Sequence, residues 1–284
     1  MHNMGSDTVL QTSRSTRFPI RYIRAGEAKE VVLLIHGLGC SSLEWSENIA
    51  LLARTRTVIA VDLIGFGASG KPAGFDYLAR NQAQQLFALL DELRIQRVHV
   101  AGNSFGGKVA IEMTDLAAHR ILSVTLVASA GAGKEAPLPM RISTLPWAWK
   151  FLPAPTFSQF RQGWQGAFHD PGKLSEDRVR QKFEDAQPPD AQRSHRLTLA
   201  GQINFWGFKS ADLESLERMT RAIRCKTLIV WGRQDRFLPV AHAQIFQERI
   251  PHAAVKIFED CGHAPQIERS EEFNRLLEDF LSAA

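Results

Sequence analysis

Short runs of apolar residues recur along the first half of the chain, separated by longer amphipathic stretches. Nearly continuous apolar runs of this kind are typical of strands that are covered on both faces of a parallel sheet. The amphipathic stretches 78–93 and 104–118 predict helices between them. Together they predict an α/β fold with an open, mostly parallel sheet flanked by helices. The predicted strands are Val31–Ile35, Thr57–Val61, 97–101 and 123–127.

The strand pattern stops near Gly131 and resumes only after residue 215. The intervening stretch holds eight of the thirteen prolines, which divide it into short helical segments such as 156–168 and 174–186. Predicted strands at 227–231 and Ala254–Phe258 and a helix at 271–281 follow it. We therefore predict a core in two parts, residues 1–133 and 216–284, with a helical cap inserted at residues 134–215.

Composition and charge narrow the class of protein. The chain has 284 residues and a formal net charge of +4, with basic residues scattered along it, so neither a nucleic-acid partner nor a membrane partner is expected. No apolar run is long enough to span a membrane, and the first seven residues lack the features of a secretory signal. Cys40, Cys225 and Cys261 have no metal-ligand spacing. We expect a cytoplasmic protein with reduced thiols and no bound metal.

A glycine-rich turn follows the predicted strand 97–101 and opens the next predicted helix. It places Ser104 in the pattern Gly-x-Ser-x-Gly, flanked by Gly102 and Gly106. A sharp turn between strand and helix exposes the serine hydroxyl above the carboxyl ends of the strands, where open α/β sheets bind ligands. Ser104 is therefore the predicted nucleophile. The glycine spacing does not fit a phosphate-binding loop, and Lys108 is expected on the surface.

A serine nucleophile needs a base and an acid that orients the base. His263 lies in the loop after the last predicted strand and is the predicted general base; the other eight histidines are expected to be structural or at the surface. Asp235 follows strand 227–231 and is the predicted acid, with Asp260 ranked second. The resulting order of serine, aspartate and histidine is the one that α/β-hydrolases use.

The loop after Val31–Ile35 supplies the predicted oxyanion hole. The backbone N–H groups of Leu38 and Phe105 are expected to bind the oxyanion of a tetrahedral intermediate. Gly37 and Asn103 adjoin these amides and are expected to contact the substrate, whereas His36 is expected to brace the loop.

These motifs together resemble the α/β-hydrolase superfamily, and the resemblance covers nearly the whole chain outside the insertion. In that superfamily the inserted helices form a cap over the active site, and the serine enzymes need no cofactor. The motifs are His36-Gly37, the segment 62–69, the segment 102–107, 232–235 and Gly262-His263.

The nucleophile restricts the resemblance further. Haloalkane dehalogenases and epoxide hydrolases of this fold use aspartate, and dienelactone hydrolases use cysteine, so the serine carboxylesterases and the meta-cleavage-product C–C hydrolases remain. The segment 102–104 and the tail 272–276 resemble the C–C hydrolases. That group commonly has tryptophan after the catalytic histidine, where this chain has Ala264. It also binds the substrate carboxylate with a cap arginine, for which the candidates are Arg161, Arg178 and Arg180.

These departures favour an esterase that forms an acyl-enzyme, with C–C hydrolysis of dienol-keto acids as the alternative. A non-catalytic binding protein of the same fold stays open as a second class. The expected partner is a small, moderately hydrophobic ester, and the chain is expected to be a monomer or a homodimer. An apolar pocket is suggested by the aromatic residues of the predicted cap, although they are equally consistent with packing among its own helices. They are Trp147, Trp149, Phe151, Phe157, Phe160, Trp164, Trp206 and Phe208.

Overall fold

A computed structural model describes residues 8–13, 16–151 and 155–283, apart from the side chains of residues 149 and 150. The predictions on the first seven residues and on Trp149 lie outside these described residues. Within them, the strands are β1 (Val9–Thr12), β2 (Arg21–Ala25), β3 (Val31–Ile35), β4 (Thr57–Val61), β5 (Val98–Asn103), β6 (Ile121–Val127), β7 (Ile203–Asn204), β8 (Gly207–Phe208), β9 (Lys226–Gly232) and β10 (Ala254–Phe258).

Helices flank these strands and fill the stretch between β6 and β9. They are α1 (Ser46–Leu52), α2 (Ala79–Glu92), α3 (Phe105–Leu116), α4 (Leu138–Ser143), α5 (Ala148–Phe151), α6 (Phe157–Gln165), α7 (Glu176–Ala186), α8 (Pro189–Gln202), α9 (Ser210–Ala222), α10 (Ala241–Arg249), α11 (Pro265–Glu268) and α12 (Ser270–Ser282). Short 3₁₀ turns lie at Ser42–Trp45, Ala118–Arg120 and Pro171–Lys173.

In the described ranges, eight strands form one sheet in the order β1-β2-β4-β3-β5-β6-β9-β10. β1 and β2 pair antiparallel with their neighbours, and the pairs from β4 to β10 are parallel. The loops that follow β3, β5, β9 and β10 therefore leave the sheet at one edge, where the strands end at their carboxyl termini. The predicted α/β architecture, an open and mostly parallel sheet flanked by helices, is confirmed.

Alternate side chains of the central strands enter two different cores. Leu33 and Ile35 of β3 belong to the cluster beneath α2, α3 and α10, whereas Val32 and Leu34 belong to the cluster beneath α1 and α12. All five residues of β3 are buried, which explains why its sequence does not alternate between apolar and polar residues. Each such side chain contributes roughly 1.5–3 kcal/mol when fully buried.

The sequence pattern missed the antiparallel strands. β2 carries two arginines among its apolar residues and β1 is largely exposed, so neither forms a continuous apolar run. The strands β7 and β8 have two residues each and pair only with one another, inside the stretch that was expected to hold helices alone. β5 continues through Asn103, two residues past its predicted end.

The helices α4–α9 lie in sequence between β6 and β9, which are neighbours in the sheet. Two ion pairs join α7 of this stretch to the segment that follows β3. Lys182 Nζ lies 2.6 Å from Glu44 Oε1, with both side chains 5% exposed, and Arg178 bonds Glu47 at 2.5 Å. The domain boundaries at residues 134 and 215 stay a prediction. Over the described residues, no helix is long and apolar enough to cross a membrane.

Candidate active site

Ser104 lies between the last residue of β5 and the first residue of α3. Its backbone has φ 55° and ψ −114°, a conformation that costs a residue other than glycine roughly 1–3 kcal/mol. The surroundings hold the peptide in place: Ser104 N donates to Val127 O at 2.9 Å, and Ser104 O accepts from Ala130 N at 3.0 Å. The predicted sharp turn is therefore present, and its strain is concentrated at the predicted nucleophile.

Two glycines permit this turn because they lie against backbone atoms. A Cβ at Gly102 would lie 2.2 Å from Gly106 O, and a Cβ at Gly106 would lie 2.3 Å from Ile35 O. Real Cβ atoms do not approach backbone oxygens so closely, since the van der Waals contact is near 3.4 Å or more. Both positions therefore require glycine, and α3 can begin directly against β3.

The loop after β3 touches the nucleophile. A Cβ at Gly37 would lie 3.3 Å from Ser104 Cβ and 3.1 Å from Asn103 Oδ1. Phe105 is the first residue of α3, where backbone N–H groups have no partner within the helix and favour a negative charge. Leu38 follows Gly37 directly. The loop that carries Leu38, one predicted oxyanion donor, therefore lies beside Ser104, the residue before Phe105, which is the other predicted donor.

His36 fixes the start of this loop. Its Nδ1 lies 2.7 Å from Gly37 O, and its Nε2 accepts a hydrogen bond from Leu63 N at 3.0 Å. Burial lowers the pKa of His36, so the ring stays neutral, with the proton on Nδ1. The side chain therefore acts as a brace, as the sequence led us to expect.

Asp235 and His263 form a buried pair above the ends of β9 and β10. Asp235 Oδ2 lies 2.8 Å from His263 Nδ1, and the carboxylate is fully buried. Its Oδ1 accepts from Phe237 N at 2.8 Å and Leu238 N at 2.9 Å. A carboxylate acceptor at Nδ1 places the proton there and leaves Nε2 free to accept one, as a general base requires. Asp260, ranked second, is 74% exposed.

Asn103 connects the histidine loop to the nucleophile turn. Its Nδ2 donates to His263 O at 3.2 Å and to Val127 O at 3.2 Å, so both hydrogen bonds of this NH₂ group go to backbone carbonyls around the site. The ring of Phe237 packs against the His263 ring at 5.2 Å. Among the described residues, no hydrogen bond joins the Ser104 hydroxyl to the His263 ring. Such bonds often tighten only when substrate binds.

Residues from α6, α7 and α8 pack against Gly39 and Cys40, which follow Leu38 in the same loop. A Cβ at Gly39 would lie 3.3 Å from the His195 ring and 3.7 Å from the Trp164 ring. Burial lowers the pKa of His195 to about 4, so this imidazole is neutral at physiological pH. Lys182 Nζ lies 3.0 Å from Cys40 Sγ and 3.9 Å from the centre of the Trp164 ring. Burial raises the pKa of Cys40 to about 12, which keeps it a thiol.

The structure assigns other roles to several residues that the sequence had singled out. Arg178 bonds Glu47 and Ser46 Oγ, Arg180 pairs with Glu176 at 3.1 Å, and Arg161 is exposed. Lys108, expected on the surface, is 2% exposed and lies 2.6 Å from Asp212 of α9. That correction arises because α9 covers the face of α3 that would otherwise meet water.

The aromatic residues between β6 and β9 have different surroundings, and two contrasting groups stand out. Phe157 and Phe160 each pack edge-to-face against Phe183 at 5.4 Å, which is packing among neighbouring helices. Trp206 and Phe151 are 77% and 71% exposed. The sequence could not separate these groups, because the segment has no regular repeat that identifies an inner face.

Comparisons with known proteins identify the family. The family model for the alpha/beta hydrolase fold matches residues 30–270. The 2-hydroxymuconate semialdehyde hydrolase of Pseudomonas putida is 31% identical over 89% of this chain and 87% of its own length. The dihydrolipoyllysine-residue acetyltransferase component of the acetoin cleaving system of Cupriavidus necator is 33% identical over 92% of this chain, which spans only 66% of that protein.

A solved structure supports the same assignment over the full length. The 2-hydroxy-6-oxo-6-phenylhexa-2,4-dienoate hydrolase of Rhodococcus sp. strain RHA1 superposes with a TM-score of 0.84 at 26% identity, covering 98% of this chain and 99% of that one. The family match extends over most of the sequence, including the turn at Ser104 and the loops of Asp235 and His263. The chain therefore belongs to the alpha/beta hydrolase fold family and is a hydrolase.

Proposed function

We propose that this hydrolase cleaves the carbon–carbon bond next to the oxo group of 2-hydroxy-6-oxo-dienoates, with Ser104, His263 and Asp235 as its triad. The observation that carries the proposal is the buried Asp235–His263 pair at 2.8 Å beside the strained turn of Ser104. Similarity over most of the chain to two hydrolases whose names contain such compounds supports this substrate class. This substrate takes the place of the ester that the sequence favoured.

The chemistry of such a substrate explains why a serine hydrolase can break a carbon–carbon bond. Moving the enol proton to the carbon beside the oxo group gives a conjugated diketone. Hydrolysis then adds the hydroxyl group of water to the oxo carbon, and the remaining proton goes to the oxygen of the second carbonyl. The electron pair of the broken bond passes through the conjugated double bond to the second carbonyl, so the leaving group is a stabilised dienolate rather than a bare carbanion.

The residues take roles that follow from their positions. His263 Nε2 accepts the Ser104 proton during attack on the oxo carbon, while Asp235 holds the ring and stabilises the imidazolium. The amides of Leu38 and Phe105 bind the oxyanion, and each such donor is typically worth about 3 kcal/mol in the transition state. His263 then gives its proton to the leaving dienolate and activates water to release the acid product.

We also propose that residues 134–215 form a cap over this site. The two ion pairs of α7 with the segment after β3 support this, because they hold α7 beside the loop of Leu38. The substrate is then a small molecule enclosed between the cap and the core. We expect the protein to act in the cytoplasm.

Ester hydrolysis by the same triad is the second candidate. The observation that favours it is the use of Arg178 and Arg180 in ion pairs with Glu47 and Glu176, since the C–C hydrolases bind the substrate carboxylate with a cap arginine. Ala264 beside the base is a further departure from that group. A neutral ester needs no such cation.

A direct comparison of two substrates tests the proposal. We expect the purified protein to hydrolyse 2-hydroxy-6-oxo-6-phenylhexa-2,4-dienoate, and the reaction is measured by the loss of the substrate's visible absorbance. Its kcat/KM should be about 100-fold or more above that for p-nitrophenyl butyrate, a difference of about 3 kcal/mol in transition-state binding. Ser104→Ala should remove both activities.

The opposite ranking would contradict the C–C assignment and favour the esterase. Reaction with a fluorophosphonate probe separates either enzyme from a non-catalytic binding protein, because only an activated serine is labelled. Folded protein that is not labelled and hydrolyses neither compound would reject the triad.

A further inference from the structure

A buried carboxylate lies behind the loop of the general base. Glu268, the last residue of α11, is 5% exposed. Its Oε1 accepts a hydrogen bond from Gly262 N at 2.8 Å, one residue before His263. Its Oε2 accepts from His169 N at 2.7 Å and from Asp170 N at 3.3 Å, after α6 of the predicted cap. One side chain thus joins the base's loop to residues 167–170, which we call the cap strap.

The cap strap also contacts the base directly. His263 N donates to Ala167 O at 2.8 Å. At Gly262 a Cβ would lie 2.4 Å from Ala167 O and 2.8 Å from His169 N, so only glycine fits between the strap and the sheet. The two peptides that lead into the imidazole are therefore held by different partners: the N–H of Gly262 by Glu268, and the N–H of His263 by Ala167 of the cap strap.

The three bonds of Glu268 all go to backbone N–H groups. Among the described residues, no cation forms an ion pair with this carboxylate, although Arg269 follows it and pairs instead with Glu272. Burial raises the pKa of Glu268, and the N–H groups of His169, Gly262 and Asp170 oppose that rise. A buried carboxylate that binds only main-chain donors fixes backbone geometry rather than balancing a charge.

We infer that Glu268 is a positioning residue for the general base, and that it makes the alignment of His263 depend on the seating of the cap strap. This inference rests on the roles proposed above for Ser104 and His263. Asp235 fixes the ring, Asn103 fixes the His263 carbonyl, and Glu268 fixes the peptide that precedes it. Without the bond from Glu268, the His263 ring is held less firmly in the orientation that faces Ser104, while the residues that bind the substrate are unchanged.

The chemistry of the three donors makes glutamine an informative replacement. A carboxylate offers acceptors at both ends, whereas a primary amide offers one acceptor and one NH₂ group. In Glu268→Gln the NH₂ group must face either Gly262 N or the N–H groups of the cap strap, so one side of the bridge is lost at nearly unchanged volume. Glu268→Asp keeps both acceptors but shortens the reach, and Glu271→Gln changes an exposed glutamate three residues later.

The test compares these variants by kcat, KM and the rate of fluorophosphonate labelling, below their melting temperatures. For Glu268→Gln we expect kcat and labelling to fall together by about 10- to 100-fold, as for a displacement near 1 Å, with KM within about twofold of wild type. Glu271→Gln should match the wild type in all three measurements.

Wild-type kcat and labelling in folded Glu268→Gln would overturn the inference. If Glu268→Gln does not fold, the folded Glu268→Asp variant decides: reduced labelling supports the inference and unchanged labelling overturns it. Labelling needs no knowledge of the substrate, so a wild type that is labelled but leaves the dienoate intact rejects only the substrate proposal. A wild type that is not labelled rejects the triad and this inference with it.

Discussion

Removing Lys182 tests how strongly α7 is held to the core. Lys182→Met keeps most of the side-chain volume but leaves Glu44 buried without its partner at 2.6 Å. Because both side chains are 5% exposed, water cannot replace the lost cation. Removing one member of a buried pair typically costs about 3–5 kcal/mol, and the lost contact with the Trp164 ring adds to this. We expect a decrease of this size in the free energy of unfolding.

Urea denaturation of four proteins gives the measurement. They are the wild type, Lys182→Met, Glu44→Gln and the double variant. The double variant should recover most of the loss, because a neutral pair of similar size leaves no isolated charge in the interior. Arg180→Met is the matched control on the same helix. Arg180 also lies over an aromatic ring, that of Phe157 at 4.9 Å, but its pair with Glu176 is more than half exposed, so its loss should cost about 1 kcal/mol or less.

The pH dependence gives an independent check. Burial alone would raise the pKa of Glu44, but attraction by Lys182 and Arg178 outweighs it and holds the pKa below its ordinary value. The stability that this group contributes is therefore present above the unfolded carboxyl pKa, about 4.3, and is lost as the pH falls through the folded pKa. The difference between wild type and Lys182→Met should shrink in that acidic range.

Two results would refute this reasoning. One is a loss in Lys182→Met no larger than that in Arg180→Met. The other is a double variant as unstable as the single variants, since the loss would then come from packing rather than from an uncompensated charge.

Three further predictions concern the nucleophile turn and the triad. Ser104→Ala should lower kcat by about 10⁴-fold or more without changing the circular dichroism spectrum, and residual turnover near wild type would reject the nucleophile. Asp235→Asn should lower kcat by about 10⁴-fold because an amide NH₂ facing His263 Nδ1 favours the wrong tautomer, and a loss below tenfold in a steady-state assay would contradict the pairing seen here. Gly106→Ala should destabilise the fold by at least about 1–3 kcal/mol in urea, because the new Cβ meets Ile35 O; equal stability would show that α3 can move away.

The sheet was predictable wherever burial on both faces left a continuous apolar run. β3 and β4, in which every residue is buried, have the predicted bounds. β10 also has the predicted bounds, although it is an edge strand whose residues are mostly exposed or half-buried. β1 and β2 have no such run, since β1 is an exposed edge strand and β2 carries arginines at partly exposed positions. β2 pairs with β4 and β1 pairs with β2, and the local sequence does not express either contact.

The site was predictable to the extent that each part carries its own signal. Ser104 follows a strand in a glycine turn, and Asp235 and His263 each follow a strand. The contact of Lys182 with Glu44 had no local signal, because the residues are far apart and each looks like a surface residue in its own helix or turn. The contact of Arg178 with Glu47 had no local signal for the same reason, because Glu47 lies in another part of the chain.

The direct pairing of β6 with β9 has an evolutionary consequence. The two strands run parallel in continuous register, from Ser123 opposite Lys226 to Val127 opposite Val230, although all of α4–α9 lies between them in the sequence. The entropy of closing a loop grows only slowly with its length, so this junction tolerates inserts of very different size. If the insert caps the site as proposed, its exchange between relatives would change which molecules enter, while the turn at Ser104 would stay the same.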